Sequence, residues 1–121
     1  MSEQCQFILD FMQNWERFDL EGALSCLAED ATFTPDLISA PIAGRAEIRK
    51  LWSFYMEMMQ GYEMKLRNIA SGGNVVFLER TEYVVTPMQE HVALDIVGVF
   101  ELDRDGKIGA WRDYVESTKM P

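Results

Sequence analysis

Apolar residues in the first half of the chain recur at spacings of three and four, which is the pattern of helices with one buried face. The first stripe predicts a helix from about residue 3 to residue 18 and contains Phe7, Ile8, Phe11, Met12, Trp15 and Phe18. Asp19 is a suitable N-cap for a short second helix, which carries Leu20, Ala23, Leu24 and Leu27. A third helix, closed by Gly61, is predicted from Ile48, Leu51, Trp52, Tyr55, Met56 and Met59. The first half of the chain is therefore predicted to be mainly helical.

Strands are predicted in the rest of the chain. Residues 31–34 favour a short strand that ends at Pro35, and after Gly61 the apolar pattern falls to a period of two. Four longer strands are predicted at residues 62–70, 74–85, 91–102 and 107–116. Tight turns are indicated by Gly72-Gly73 and Asp105-Gly106. Consecutive strands joined in this way form an antiparallel meander.

Helices that precede strands along the chain favour an α+β fold, in which a curved antiparallel sheet wraps around the three helices. The length of 121 residues suits one domain, residues 1–121, with a single hydrophobic core. No internal repeat or linker divides the chain.

The charge balance narrows the possible partners. Acidic residues outnumber basic ones by 20 to 11, which gives a net charge of −9. Such a chain repels polyanions, so neither nucleic acid nor an anionic membrane surface is expected as a partner. No apolar run approaches the roughly eighteen residues needed for a membrane span. The polar, acidic start of the chain does not resemble a signal peptide, so we expect a cytoplasmic protein.

Cysteine and histidine usage argues against a metal site. Cys5 and Cys26 are predicted to be packed, reduced thiols. His91 is the only histidine, and the polar stretch around it favours an exposed position at the start of a strand. Because neither cysteine has a neighbouring metal ligand and there is no cluster of Cys or His, the sequence has no zinc or copper signature. We expect neither a metal nor a cofactor.

Three ionisable residues in the strand-rich half are candidates for chemistry. Asp113 shares a strand face with Trp111, and an acid beside so much apolar bulk is either paired or functional. Arg80 and Glu82 lie two apart on a predicted strand and so project from the same face. The three side chains could meet in one pocket. Two alternatives stay open, because Arg80 and Glu82 could form a surface ladder and Asp113 could be a structural acid.

Six segments together make the chain similar to a known family. They are Ala28-Glu29-Asp30, Gly44-Arg45, Glu79-Arg80-Thr81-Glu82, Gly98-Val99-Phe100-Glu101-Leu102, Gly106-Lys107-Ile108 and Trp111-Arg112-Asp113-Tyr114. Through these segments the chain resembles the limonene-1,2-epoxide hydrolase family, within the nuclear transport factor 2-like superfamily that also contains ketosteroid isomerase and SnoaL-like polyketide cyclases. The resemblance implies a cystatin-like cone of helices and curved sheet around a deep apolar pocket, and a homodimer.

The resemblance also implies roles for individual residues. Asp113 matches the family's base, which takes a proton from water as the water attacks an epoxide carbon. Glu82 matches the acid that protonates the epoxide oxygen, and Arg80 matches the arginine that bridges the two acids. The expected reaction is hydrolysis of a small apolar epoxide to a diol without a metal. The pocket for this hydrophobic substrate is expected to be lined by Phe33, Trp52, Met56, Leu78, Leu94, Ile96 and Trp111.

Two departures from the family's pattern leave other functions open. Glu82 replaces an aspartate, which moves the proton donor by about one ångström. Phe33 and Pro35 replace the tyrosine and asparagine that hold water in the family, unless Thr34 or Asp36 takes over that task. An isomerase or cyclase that moves a proton within a hydrophobic substrate is one alternative. A binding protein that has lost the reaction is the other.

Overall fold

Three helices and six strands follow one another in the computed structural model, which describes residues 1–116. The helices are α1 (Glu3–Glu16), α2 (Leu20–Ser25) and α3 (Arg45–Met58). The strands are β1 (Leu27–Thr34), β2 (Ile42–Ala43), β3 (Gly61–Gly72), β4 (Val75–Val85), β5 (His91–Leu102) and β6 (Ile108–Val115). The predicted α+β class is confirmed. None of the helices formed by residues 1–116 is long and apolar enough to cross a membrane.

The helix ends agree with the prediction only in part. Helix α3 ends at Met58 with Met59 as its C-cap, so Gly61 begins β3 and does not close the helix. Leu27 begins β1 and is not part of α2.

The Ser2 hydroxyl accepts a hydrogen bond from the Cys5 amide at 3.1 Å and so caps α1. Phe18 has a positive φ of 54°, which a helix does not allow, so α1 ends at Glu16, two residues earlier than the apolar stripe suggests. The Asp19 carboxylate caps α2 as predicted, accepting from the Gly22 amide at 2.9 Å.

All six strands form one sheet in the order β2-β1-β6-β5-β4-β3. The strands from β3 to β6 form the predicted antiparallel meander. Register shifts in β3 and near the end of β5 interrupt the ladders, and such bulges bend a sheet. Strand β1 differs from the prediction because it is longer and pairs with β6 in parallel. The two-residue strand β2 was not predicted, since so short a segment has no readable period.

The core lies between the helices and the concave face of the sheet, and aromatic rings fill its centre. Trp111 stacks on Phe100 with the ring centroids 5.0 Å apart. Phe33 and Trp52 approach the same indole at 4.7 and 5.7 Å, and Phe11 contacts it edge-on at 5.4 Å. Both cysteines are free thiols, and burial raises the pKa of Cys26.

The sequence did not show which face of β4 points inward, because both faces of this strand are half apolar. Val76, Leu78 and Arg80 are buried beneath the helices. The convex face carries Phe77 and Tyr83, which are partly exposed. Arg80 and Glu82 therefore project into the interior with the core residues and not onto the surface.

Candidate active site

The three predicted ionisable residues meet on the concave face of the sheet. Arg80 and Glu82 lie on β4 and Asp113 lies on β6, with β5 between the two strands. The residue of β5 that pairs with Asp113 is Gly98, which also pairs with Leu78 on the other side. Since Gly98 has no side chain, the long Arg80 side chain can cross β5 and reach Asp113. The local sequence of the intervening strand thus allows the site to form.

Arg80 bridges the two carboxyl groups. Its Nη2 atom donates to both carboxylate oxygens of Asp113 at 3.1 Å, and its Nε atom donates to Glu82 Oε2 at 2.9 Å. The Arg80 side chain is 0% exposed and that of Glu82 is 14% exposed. This geometry is a buried, charge-assisted cluster and not a surface ladder.

The Arg80 guanidinium remains a cation in this setting. Burial lowers the pKa of Arg80, but the charges of Asp113 and Glu82 outweigh this effect and raise it overall. The guanidinium carbon also lies 5.9 Å from the centre of the Trp111 ring, where the face of the indole attracts a cation. Its Nη1 atom has no acceptor within residues 1–116. Arg80 thus supplies a fixed positive charge to both acids.

Asp113 is held by donors on both of its carboxylate oxygens. Besides the two contacts from Arg80, the Trp111 indole donates to Oδ1 at 2.8 Å. Burial raises the pKa of Asp113 to about 6, with Arg80 acting in the opposite direction and the charge of Glu82 adding to the rise. Because the charge of Glu82 raises the pKa of Asp113, Asp113 does not titrate independently of its neighbour.

Glu82 has a further partner that sequence reasoning missed. The Tyr62 hydroxyl donates to Glu82 Oε2 at 2.7 Å. Burial and then the charge of Glu82 raise the pKa of Tyr62 well above its usual value, so the phenol keeps its proton and acts as a donor. Within the described residues, no donor reaches the other oxygen of Glu82, Oε1.

A cavity of about 90 Å³ opens beside the two acids. Its lining consists of Met12, Trp15, Phe33, Tyr55, Met59, Tyr62, Glu82, Trp111 and Asp113. Most of this wall is apolar or aromatic, and the two carboxyl groups are its charged part. Within residues 1–116, no three His, Cys, Asp or Glu side chains are grouped so that they could hold a metal ion.

The structure places only some of the predicted pocket residues at this cavity. Phe33 and Trp111 line it. Trp52 and Leu78 are 0% exposed and belong to the packed core behind the wall. The other predicted residues, Met56, Leu94 and Ile96, are not among its lining residues in the described part of the chain.

Five lining residues were not predicted, namely Met12, Trp15, Tyr55, Met59 and Tyr62. Four of them belong to the apolar stripes of α1 and α3 or directly follow α3. Those stripes predict burial, but they do not show which helical turn borders a cavity and which fills the core. Tyr62 could be found only with the register of β3 against β4.

Thr34 and Asp36, the candidates to hold water in place of the family's tyrosine and asparagine, do not line the cavity formed by residues 1–116. Thr34 pairs with Arg112 in the ladder, one residue beyond Phe33, so its side chain points to the opposite face. The Asp36 carboxylate accepts hydrogen bonds from the Ile38 and Ser39 amides at 3.0 and 2.7 Å and thus stabilises the loop after β1. Neither side chain is part of the cavity wall formed by residues 1–116.

Helices packed on the concave face of a curved sheet form the nuclear transport factor 2-like fold. Solved structures described as NTF2-like and SnoaL-like superpose on this chain with TM-scores of 0.87 and 0.90, at 18% and 12% identity. Within this class, residues 2–120 match the limonene-1,2-epoxide hydrolase catalytic domain. The chain belongs to the limonene-1,2-epoxide hydrolase family, as the sequence resemblance predicted.

Individual relatives agree with this family. The epoxide hydrolase EphG of Mycobacterium tuberculosis (strain ATCC 25618 / H37Rv) is 39% identical over 66 residues, which are 54% of this chain and 42% of EphG. The chain thus matches less than half the length of that relative. The structure of an M. tuberculosis LEH-like epoxide hydrolase superposes with a TM-score of 0.85 at 26% identity, covering 98% of this chain and 86% of that one.

Proposed function

We propose that this protein hydrolyses a small apolar epoxide to a diol, with Asp113, Glu82 and Arg80 as the reacting and bridging groups. The observation that carries the proposal is one buried guanidinium that binds two carboxyl groups at the wall of a single apolar cavity. Membership in the limonene-1,2-epoxide hydrolase family supports it.

The proposed reaction begins with one proton on the acid pair. In the reactive form of the pair Asp113, whose two oxygens accept N–H hydrogen bonds, is ionised, and Glu82 carries the proton on Oε1. As Asp113 takes a proton from water, the water oxygen bonds to an epoxide carbon and that carbon's bond to the ring oxygen breaks. Glu82 gives its proton to the leaving oxygen, which yields the diol. Proton transfer from Asp113 back to Glu82 restores the starting state.

Electrostatics support these roles of Asp113 as the base and Glu82 as the acid. Two carboxyl groups bound to one cation can hold opposite protonation states at the same pH, so one can act as base and the other as acid. The buried position of Arg80 strengthens its interaction with both acids, because water does not screen it. Arg80 also favours the ionised form of Asp113, which is the form that can accept a proton from water.

The size and lining of the cavity support a small apolar substrate. A volume of about 90 Å³ is well below the roughly 300–1,000 Å³ of sites for drug-sized ligands. Met12 and Met59 form part of the wall, and methionine side chains adjust their shape easily. A short-chain epoxide fits this cavity better than a bulky one.

Water for the reaction would be held by Tyr55 in place of the family's tyrosine on β1. The Tyr55 side chain lines the same cavity as Phe33 but belongs to α3 and not to β1. Burial raises the pKa of Tyr55, and the charges of Asp36 and Asp113 add to the rise, so its hydroxyl stays protonated within electrostatic reach of Asp113. A phenol there can donate to or accept from a water molecule.

A proton-shuttling isomerase or cyclase is the second candidate. It is favoured by Phe33, which borders the cavity without any group that could bind water. One structural neighbour, SalBIII, is described as an epoxide hydrolase/cyclase-like enzyme with a role in pyran ring formation in polyether salinomycin. It superposes with a TM-score of 0.86 at 19% identity, covering 97% of this chain and 93% of that one.

Isotope labelling separates the candidates. The protein is incubated with propylene oxide, styrene oxide and limonene oxide in oxygen-18 water, and the masses of the products are measured by mass spectrometry. Hydrolysis predicts one heavy oxygen per diol, whereas isomerisation or cyclisation predicts product without label. Asp113→Asn and Glu82→Gln should both abolish labelling. Glu101→Gln, which alters a carboxylate paired with Arg112 away from the cavity, should not. Ligand binding without any turnover would instead indicate a binding protein.

We also propose that the protein forms a homodimer, as its family resemblance implies. The convex face of the sheet exposes Phe77 and Val97, which are 47% and 38% exposed and lie on adjacent strands. A second copy covering this face would remove apolar surface from water. Sedimentation equilibrium should give twice the mass of one chain, and Phe77→Glu should shift the protein to monomer. A monomer in the unmodified protein would overturn this proposal.

A further inference from the structure

We propose that Tyr62 is a positioning residue for the proton donor, fixing the Glu82 carboxyl group so that the acidic proton lies on Oε1 and faces the substrate. This inference rests on the proposed hydrolase function and adds a residue for which the sequence resemblance gives no role. It also accounts for the glutamate that stands at position 82 in place of the family's aspartate.

The contacts of the two Glu82 oxygens are unequal. Oε2 accepts hydrogen bonds from both the Tyr62 hydroxyl at 2.7 Å and the Arg80 Nε atom at 2.9 Å. An oxygen that faces two N–H or O–H donors is a poor place for a proton, because the donors' hydrogens would meet it. Oε1 has no donor within residues 1–116, so a protonated Glu82 carries its hydrogen there.

The ladder between β3 and β4 explains how Tyr62 reaches Glu82. The direct partner of Glu82 on β3 is Met64, whereas Tyr62 pairs with Val84, so Tyr62 and Glu82 are diagonal neighbours on one face. Diagonal neighbours are separated by about 7–8 Å between backbones, a gap that only long side chains bridge. The extra methylene of Glu82 lengthens its side chain by about one ångström. We therefore expect an aspartate at position 82 to be too short to keep both the Tyr62 and the Arg80 contacts.

Other groups near the donor do not replace Tyr62. The Glu82 side chain is 14% exposed, so water has limited access to its carboxyl group. Arg80 is committed to Asp113 through Nη2 and contacts Glu82 only through Nε. Without the phenol, Glu82 would keep a single protein donor and its carboxyl group could rotate about the terminal bond. The acid would then no longer present one oxygen consistently to the cavity.

Steady-state kinetics of Tyr62→Phe test the proposal when the protein turns over epoxides. We expect kcat to fall about tenfold or more, with KM within about twofold, because the acid is misplaced while the apolar cavity persists. Removing a donor from Oε2 disfavours the ionised form of the pair. The pH at which activity is lost should therefore rise by about one unit. Tyr83→Phe, which removes an equivalent hydroxyl from the convex face, should change neither quantity.

The match between Tyr62 and glutamate has its own test. In a Glu82→Asp background, Tyr62→Phe should produce little further loss of kcat, because the shorter acid already lacks the contact. The proposed pairing would be overturned if the fold-loss of kcat in the double variant equalled the product of the losses in the two single variants. So would an unchanged kcat and an unchanged pH profile in Tyr62→Phe.

A measurement without turnover separates this proposal from the proposed function. Carbon-13 spectra of protein labelled in glutamate report the titration of the Glu82 carboxyl group, which is identified by its disappearance in Glu82→Gln. In Tyr62→Phe the titration midpoint should move up by about one pH unit, and in Tyr83→Phe it should not move. If the protein hydrolyses no epoxide, the proposed function fails, while a shifted midpoint still supports the Tyr62 contact and an unshifted one overturns it.

Discussion

Gly98 lies directly opposite Asp113 in the ladder between β5 and β6, and a Cβ atom on Gly98 would come within 3.1 Å of Asp113 Oδ1. The same atom would lie 2.9 Å from Arg80 Nη1, in the space through which the guanidinium crosses β5. Both distances are shorter than normal contacts with a carbon atom. The pairing of the base with its cation therefore depends on the absence of a side chain at this position.

Gly98→Ala should separate Arg80 from Asp113. We expect kcat/KM to fall about a hundredfold, because a displacement of about one ångström in a reacting group can have that effect. The free energy of unfolding should fall by only about 1–3 kcal/mol, as is typical of one added methyl group in a packed site. Gly109→Ala on β6 is the matched control, since a Cβ there would meet nothing closer than 3.5 Å. Equal activity in the two variants would contradict this account.

The pH profile should report the proton shared by Asp113 and Glu82. The proposed mechanism needs one proton on the pair, and burial raises the pKa of Asp113 to about 6. We therefore expect kcat/KM to decrease as the pH rises through about 6, with the slope of a single ionisation. Rates measured with a short-chain epoxide between pH 4.5 and 8.5 check this. A rate that increases through this range would contradict it.

Arg80 and Glu82 illustrate what the sequence could predict about the site. A strand's period of two is enough to put both side chains on one face, and it likewise puts Asp113 with Trp111. The inward direction of that face was not predictable, because each face of β4 carries similar numbers of apolar residues. It is decided by packing against the helices, where Arg80 is tolerated only because two carboxyl groups neutralise it.

Contacts that depend on strand register were not predictable. The Tyr62 contact requires the alignment of β3 and β4, which contains a register shift between Leu66 and Asn68. The parallel pairing of β1 with β6 joins segments separated by most of the chain, and no local turn signal indicates it. The sequence thus predicted positions that follow from a local pattern better than positions that depend on long-range strand pairing.

Burial of Asp113 should make stability depend on pH. The pKa of Asp113 is about 6 in the folded protein and near 3.8 in an unfolded chain, so the folded state binds the proton more tightly. The contribution of Asp113 to the free energy of unfolding should therefore fall as the pH rises from about 4 to about 6, by about 3 kcal/mol in total. Urea denaturation of wild type and Asp113→Asn at pH 4 and pH 7.5 measures this difference. The variant should gain stability relative to wild type at the higher pH, and a constant difference would contradict the prediction.

Enlarging the cavity should broaden the range of epoxides. Met59 lines the cavity just after α3 and is only partly buried, so Met59→Ala should add space without collapsing the core. We expect the ratio of kcat/KM for styrene oxide to that for propylene oxide to rise about fivefold or more, since each buried methylene contributes about 0.8 kcal/mol. The neighbouring Met58→Ala is the control, because Met58 is 41% exposed. An unchanged ratio would mean that the wall near Met59 does not limit substrate size.

In the proposed reaction the Tyr55 hydroxyl holds the attacking water, because Phe33 replaces the hydroxyl used in the family. Tyr55→Phe should therefore lower kcat for hydrolysis about tenfold, the equivalent of about 1.4 kcal/mol and typical of one lost hydrogen bond. Oxygen-18 incorporation into the diol, followed at saturating substrate, measures the effect. Tyr83→Phe on the convex face serves as the control. Full activity in Tyr55→Phe would contradict this role, since Asp113 and another polar group of the wall, such as the Trp15 indole N–H, would then have to hold the water.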